Sequence, residues 1–226
     1  FLIGVEFEKA LLPRIEANLP DLTVVATQEG VDYRTLEAHD HEEDEHEEDE
    51  HEEDEHEEDE AGGRDPHVWL SPENGKIIAG NMRDALVEAA PEHREVFESN
   101  YRDLAERIDR LDRELSETLR PLRGSTLFVF HPAFGYFSDA YGLEQEAIET
   151  GGKEPSAREL VGIIERAKEE GVKVVFVQPQ FSMRAAETAA EAIGGAVVPI
   201  DPLSENWFEN MRGIGNTVRA ELTEAQ

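Results

Sequence analysis

The sequence predicts an α/β protein on parallel sheet, with a long helix serving as a backbone between two lobes. Two observations carry this. After Gly124, short β-branched and aromatic runs alternate with helical patterns, and that alternation implies a parallel sheet with right-handed crossovers. Before that point, Phe97, Tyr101, Leu104, Ile108, Leu111, Leu115, Leu119 and Leu122 recur at spacings of three and four, the period of one amphipathic helix.

Taken in order, Phe1–Gly4 reads as the end of a buried strand. Val5 to Ala17 reads as a helix, with Phe7, Leu11, Leu12 and Ile15 at helical spacing, and Leu22–Ala26 (LTVVA) as a short strand. A polar loop follows over residues 28–64. Asp65-Pro66 then sets an extended backbone, and Ser71-Pro72 starts a helix, with Ser as N-cap and Pro at the first helical position. That helix runs to Ala90, and Pro91 restarts the chain. The long helix over 91–122 would exceed about 40 Å at 1.5 Å per residue. Strands are expected at Leu127–Phe130, Glu144–Glu149, Val172–Val177 and Ala196–Ile200. Helices are expected at Pro132–Tyr141, Ser156–Glu170, Met183–Ile193 and Ser204–Glu224. The organisation that results is an N-terminal lobe over 1–90 holding the loop 28–64, a linking helix over 91–122, and a C-terminal lobe over 123–226.

The loop is the most unusual segment. His41 to Glu60 is the unit HEEDE repeated four times. The histidines of an HExxH protease box stand four apart on one helical face. Here His41, His46, His51 and His56 stand five apart, a step of roughly 140° around a helix, so they do not converge on one ion in that way. The net charge is −32, and half of it lies in these repeats, which hold sixteen Asp and Glu. Such blocks repel themselves and are solvated. An acidic solubilising loop would not need a histidine in every unit, however. Imidazole and carboxylate together suit Zn²⁺ and similar ions, so the loop, extended by His39, reads as a weak, multivalent metal collector.

Composition excludes several classes. There is no cysteine, so disulfides and thiolate metal sites are ruled out. No apolar run approaches the roughly 20 residues that span a bilayer, and the acidity argues against nucleic acid as a partner.

Three candidate ligands stand at strand or loop ends: His67 in DPHVWLSP, His131 in FVFHPAF and Asp201 in PIDPL. Any one of them alone reads as a capping or hydrogen-bonding residue. Ligands of parallel α/β sheets gather at the carboxyl ends of strands, and two imidazoles with a carboxylate suit zinc.

The ordered set DPHVWLSP, FVFHPAFGYFSDAYGLE, EPSAREL, QPQF and IDPL resembles the solute-binding receptors of zinc and manganese ABC importers, and the zinc branch in particular. Members of that branch often insert a His- and acid-rich loop just before the DPHxWLSP motif. The resemblance implies two α/β lobes bridged by a long helix, with the metal between them. It places the second ligand on His67, the third on His131 and a carboxylate on Asp201. Glu is usual at the position of His131 in the manganese branch, so Zn²⁺ is the expected ion, and imidazole chemistry agrees. The first ligand of the family lies in a strand–loop region upstream of Phe1, so the N-terminal lobe is expected to be incomplete. Gln178 stands where relatives often carry Glu and reads as supporting the ligands from behind. The resemblance further implies a monomeric, periplasmic or lipid-anchored receptor outside the cytoplasm. Its partners would be the membrane permease of a zinc importer and a zinc chaperone. The competing readings are a manganese receptor of the same fold, a zinc hydrolase with one open coordination position, and a metal-buffering or adhesive surface protein.

The remaining aromatic residues, Trp69, Phe134, Tyr136, Phe137, Phe181 and Trp207, read as packing. His93 reads as exposed, and Pro66, Pro132 and Pro202 as stiffeners of the ligand loops.

Overall fold

The computed structural model describes residues 1–36, 63–149, 156–181 and 183–224. The HEEDE repeats, with His39, His41, His46, His51 and His56, lie outside the described residues.

The chain opens with helix α1 (Glu6–Asn18), whose start is fixed by Glu8. Its carboxylate accepts from the backbone N–H groups of Ile3, Gly4 and Val5, at 2.7 Å from Gly4. The apolar positions that suggest a core face behave otherwise here: Phe7, Leu11 and Ile15 are exposed. Leu22–Ala26 does not form a strand either. Its pairing is one parallel bridge, Leu2 with Ala26, because only the N–H of Leu2 and that of Thr27 find partners across it.

Helix α2 (Pro72–Ala89) begins as the Ser-Pro pair requires, the Ser71 hydroxyl accepting from the N–H of Asn74 at 3.4 Å. The long segment divides. Pro91–His93 is a 3₁₀ turn, α3 spans Arg94–Leu119, and Arg120–Leu122 is a second 3₁₀ turn. Prolines at 91 and 121 explain the tight ends, since neither can donate to a helical ladder. The 26 residues of α3 make a rod of about 39 Å. Its buried stripe is Ile108, Leu111, Leu115 and Leu119, all in its second half.

Four parallel strands follow: β1 (Thr126–Val129), β2 (Glu144–Ala147), β3 (Val174–Val177) and β4 (Ala196–Pro199), in the order β2-β1-β3-β4. Between them run α4 (Gly135–Tyr141), α5 (Ala157–Glu169) and α6 (Met183–Ile193), and α7 (Trp207–Glu224) ends the described chain. Gly142, at φ 70°, closes α4 in the left-handed conformation.

Side chains on the strands alternate between two cores. Leu127, Val129, Val174 and Phe176 pack with Leu111, Leu115 and Leu119 of α3 and Met211, Ile214 and Val218 of α7. Phe128, Phe130, Val175 and Val177 pack with Ile163 and Ala167 of α5 and Ala186, Ala189, Ala190 and Ile193 of α6. Helices on both faces explain why β3 is apolar at every position rather than at every second one. At the carboxyl edge of the sheet, β1, β3 and β4 lead into His131, Gln178 and Asp201. A third, smaller core of Val31, Val68 and Tyr136 joins the region before α2 to α4.

Candidate metal centre

His67 is held by its own turn. Two residues upstream, the buried Asp65 accepts on Oδ1 from the backbone N–H of His67 at 2.9 Å and meets His67 Nδ1 at 2.7 Å. Pro66 between them keeps the chain extended, and Val68 and Leu70 of the following 3₁₀ turn are fully buried and anchor it. Asp65 is braced from behind. Arg34 Nε stands 4.0 Å from Oδ2, and the Tyr136 hydroxyl donates to the Asp65 carbonyl at 3.1 Å. Burial, above all, holds the Tyr136 phenol above its ordinary range, so it stays a donor.

His131 leaves the end of β1 and is gripped on its backbone by Gln178. The Gln178 amide accepts from His131 N at 3.3 Å and donates to His131 O at 2.7 Å. Gln178 is completely buried. Phe181 stacks on the His131 ring, centroids 4.7 Å apart and planes at 25°. On the ring edge, Nδ1 meets Glu149 Oε2 at 2.9 Å.

These contacts orient two imidazoles toward each other. Nε2 of His67 and Nε2 of His131 are 3.4 Å apart, with the ring planes at 77°. A carboxylate only accepts, so each Nδ1 paired with one carries the proton, and the neutral ring then presents an unprotonated Nε2. Two such nitrogens at this distance repel unless a cation lies between them. Nitrogens bound at about 2.0–2.1 Å to one tetrahedral zinc would stand about 3.3–3.4 Å apart, so the pair already has the separation of two zinc ligands.

Asp201 follows β4. Its Oδ1 accepts from Gln180 Nε2 at 2.8 Å and from the Leu203 N–H at 2.9 Å. Among the described residues, no group of three or more His, Asp or Glu side chains is set to hold an ion, so Asp201 stands apart from the histidine pair in this arrangement. A chain of indoles links the two segments nonetheless. Trp69 Nε1 donates to the Pro202 carbonyl at 2.9 Å, and Trp207 Nε1 donates to the Trp69 carbonyl at 2.8 Å. Sequence reasoning assigns both tryptophans to packing and misses this link. It also misses Asp65 and Glu149 as partners of the histidines. The D-x-H spacing offered a signal for Asp65. Glu149 offered none, since it meets His131 only because β1 and β2 are neighbours. His93 is exposed and far from this chemistry, paired with Glu92 at 3.8 Å.

The fold and the paired imidazoles define an α/β protein with two histidines facing each other near the carboxyl edge of its sheet. The chain belongs to the family of ZnuA, the periplasmic component A of the zinc-uptake complex, whose sequence profile matches residues 1–220. Among curated relatives, it is similar to the high-affinity zinc uptake system protein ZnuA of Brucella abortus (strain 2308). The two are 33% identical over 141 residues, 62% of this chain and 42% of that protein. Among solved structures it resembles a crystal structure of ZnuA, with a TM-score of 0.85 and 32% identity over 97% of this chain and 78% of that one. It also resembles a zinc-bound ZnuA from which residues 138–173 were deleted, with a TM-score of 0.82 and 30% identity over 97% of this chain and 76% of that one. The chain thus spans less than half the length of the curated relative.

Proposed function

We propose that the protein is an extracytoplasmic receptor that captures Zn²⁺ and hands it to the membrane permease of an ABC importer, binding the ion through His67 and His131. The observation that carries this reading is the 3.4 Å separation of the two Nε2 atoms, with both Nδ1 atoms committed to carboxylates. Family membership supports zinc uptake as the setting. Imidazole donors favour zinc over manganese, which prefers oxygen. Asp201 is proposed as the carboxylate that joins the ion after leaving the Gln180 amide. Receptor action fits better than hydrolysis, because Asp65 and Glu149 are engaged with the imidazole rings and neither is left to act as a general base.

The HEEDE repeats are proposed to collect zinc weakly beside this site. Their flanks support that role: the N–H of Leu36 donates to the Gly63 carbonyl at 2.8 Å and the N–H of Asp65 to the Arg34 carbonyl at 2.9 Å. Among the described residues, no helix is long and apolar enough to cross a membrane.

The test is zinc titration against a competing chelator for the unaltered protein, His67→Ala and His131→Ala. One tight site is expected, lost in each variant. Tight binding that survives both substitutions would place the receptor site elsewhere.

A further inference from the structure

Glu149 differs from its counterpart Asp65 in one respect. Asp65 Oδ1 takes two bonds from His67, and Oδ2 faces Arg34. Glu149 is 4% exposed and spends Oε2 on His131 Nδ1. Its Oε1 is buried with no hydrogen-bond partner among the described residues. Leaving a buried carboxylate oxygen without a donor disfavours the folded state. An amide or an apolar side chain would fill the same place at lower cost, so stability alone does not account for a carboxylate here.

We infer that Glu149 is a positioning residue for the metal centre, trading fold stability for control of His131. The inference rests on the zinc-receptor reading. Its backbone is set by the sheet, the Glu149 N–H donating to the Phe130 carbonyl at 2.8 Å, so the carboxylate arrives from β2 at a fixed height beside the ring. It then does two things through Nδ1. It holds the proton there, which keeps Nε2 free as a donor to the ion. It also places full negative charge behind the ring, which strengthens that donor. Phe181 stacked on the ring face limits tilting but selects neither nitrogen, and Gln178 grips only the backbone. Control of the tautomer therefore falls to Glu149.

A purely structural residue would lower stability and binding together when replaced. A positioning residue with an unpartnered oxygen separates them. In Glu149→Gln, the amide can offer N–H to Nδ1 and move the imidazole proton to Nε2, where it blocks the ion. Zinc affinity is expected to fall about 10–100-fold, while the zinc-free protein melts no lower than the unaltered one. The ¹⁵N signals of the His131 imidazole in the zinc-free protein should move toward the Nε2–H form. Glu149→Asp, which keeps the charge but not the reach, should also weaken binding, and it serves if the amide variant does not fold. Affinity within twofold of the unaltered protein, or lost affinity with a parallel drop in melting temperature and an unchanged tautomer, would overturn the inference. If the unaltered protein shows no zinc binding dependent on His67 and His131, the receptor reading fails. The tautomer of the zinc-free protein then still decides whether Glu149 controls His131.

Discussion

The side-chain amide of Gln180 donates to Oδ1 of Asp201 at 2.8 Å, across the gap between the ends of β3 and β4. On the proposal that Asp201 joins the ion, this bond competes with the ion for Oδ1. Removing this solvent-exposed hydrogen bond to the carboxylate, about 0.5–1.5 kcal/mol net, by Gln180→Ala is expected to tighten zinc binding about two- to tenfold, read by chelator competition. Unchanged affinity in both Gln180→Ala and Asp201→Ala would mean that Asp201 takes no part.

Metal preference should follow the donor atoms. His131→Glu sets a second carboxylate beside Glu149, so the substitution is made together with Glu149→Gln. The pair is expected to narrow or reverse the preference for zinc over manganese, because an oxygen donor replaces a nitrogen. Competition between the two ions checks it, and an unaltered ratio would show that ligand type does not set selectivity.

Gly135, on α4, lies against the support of His67, its carbonyl accepting from Arg34 at 3.2 Å. A Cβ there would meet Arg34 Nε at 2.6 Å and Asp65 Oδ2 at 3.0 Å. Gly135→Ala is expected to displace both and to weaken zinc binding on the order of tenfold, the usual effect of disturbing a ligand's support. Calorimetric titration reads the affinity, and circular dichroism confirms that the fold remains.

Stability should decline in alkali for a local reason. Burial, then the charge of Asp112 and the hydrogen bond to it, hold the Tyr141 phenol above its ordinary range. The Lys76 ammonium is also raised, chiefly by its bond to Glu73 and then that to Asp109. Both groups favour the protonated state when folded. Their stabilisation is complete below the ordinary values near about 10 and is lost as pH rises toward the folded values. Tyr141→Phe should cost about 0.5–1.5 kcal/mol at neutral pH and make the alkaline decline shallower. Urea unfolding at neutral and alkaline pH tests both parts.

Replacing residues 37–62 by Asn-Gly should leave the tight site within about twofold, because Leu36 and Gly63 are already hydrogen-bonded and a two-residue turn suits such a closing pair. The weak zinc sites should disappear. Loss of tight binding would show that the repeats belong to the primary site.

Much of this molecule was legible in its sequence. All four strands of the sheet, and α6 from Met183 to Ile193, follow from period and punctuation. The candidate ligand segments stand out because His131 and Asp201 terminate apolar runs. What escaped was what depends on neighbours. The face of α1 reads as core from spacing, yet Phe7 and Leu11 are exposed. LTVVA has strand composition, but a strand needs a ladder and finds one bridge. Glu149 meets His131 through sheet order, and Trp207 meets the Trp69 carbonyl through helix packing, which no local pattern encodes.

The bond between Leu36 and Gly63 also bears on how this sequence can change. A tandem unit of five residues is prone to gain or lose copies when its gene is replicated. Each gain would lengthen a segment whose two ends are already fastened together, at a closure cost of only about 0.6 kcal/mol per doubling. Copy number can therefore drift with little effect on Asp65 and His67. On the proposed collecting role, the number of weak sites would then be adjusted by heredity in steps of one histidine, while the affinity of the proposed centre is inherited separately.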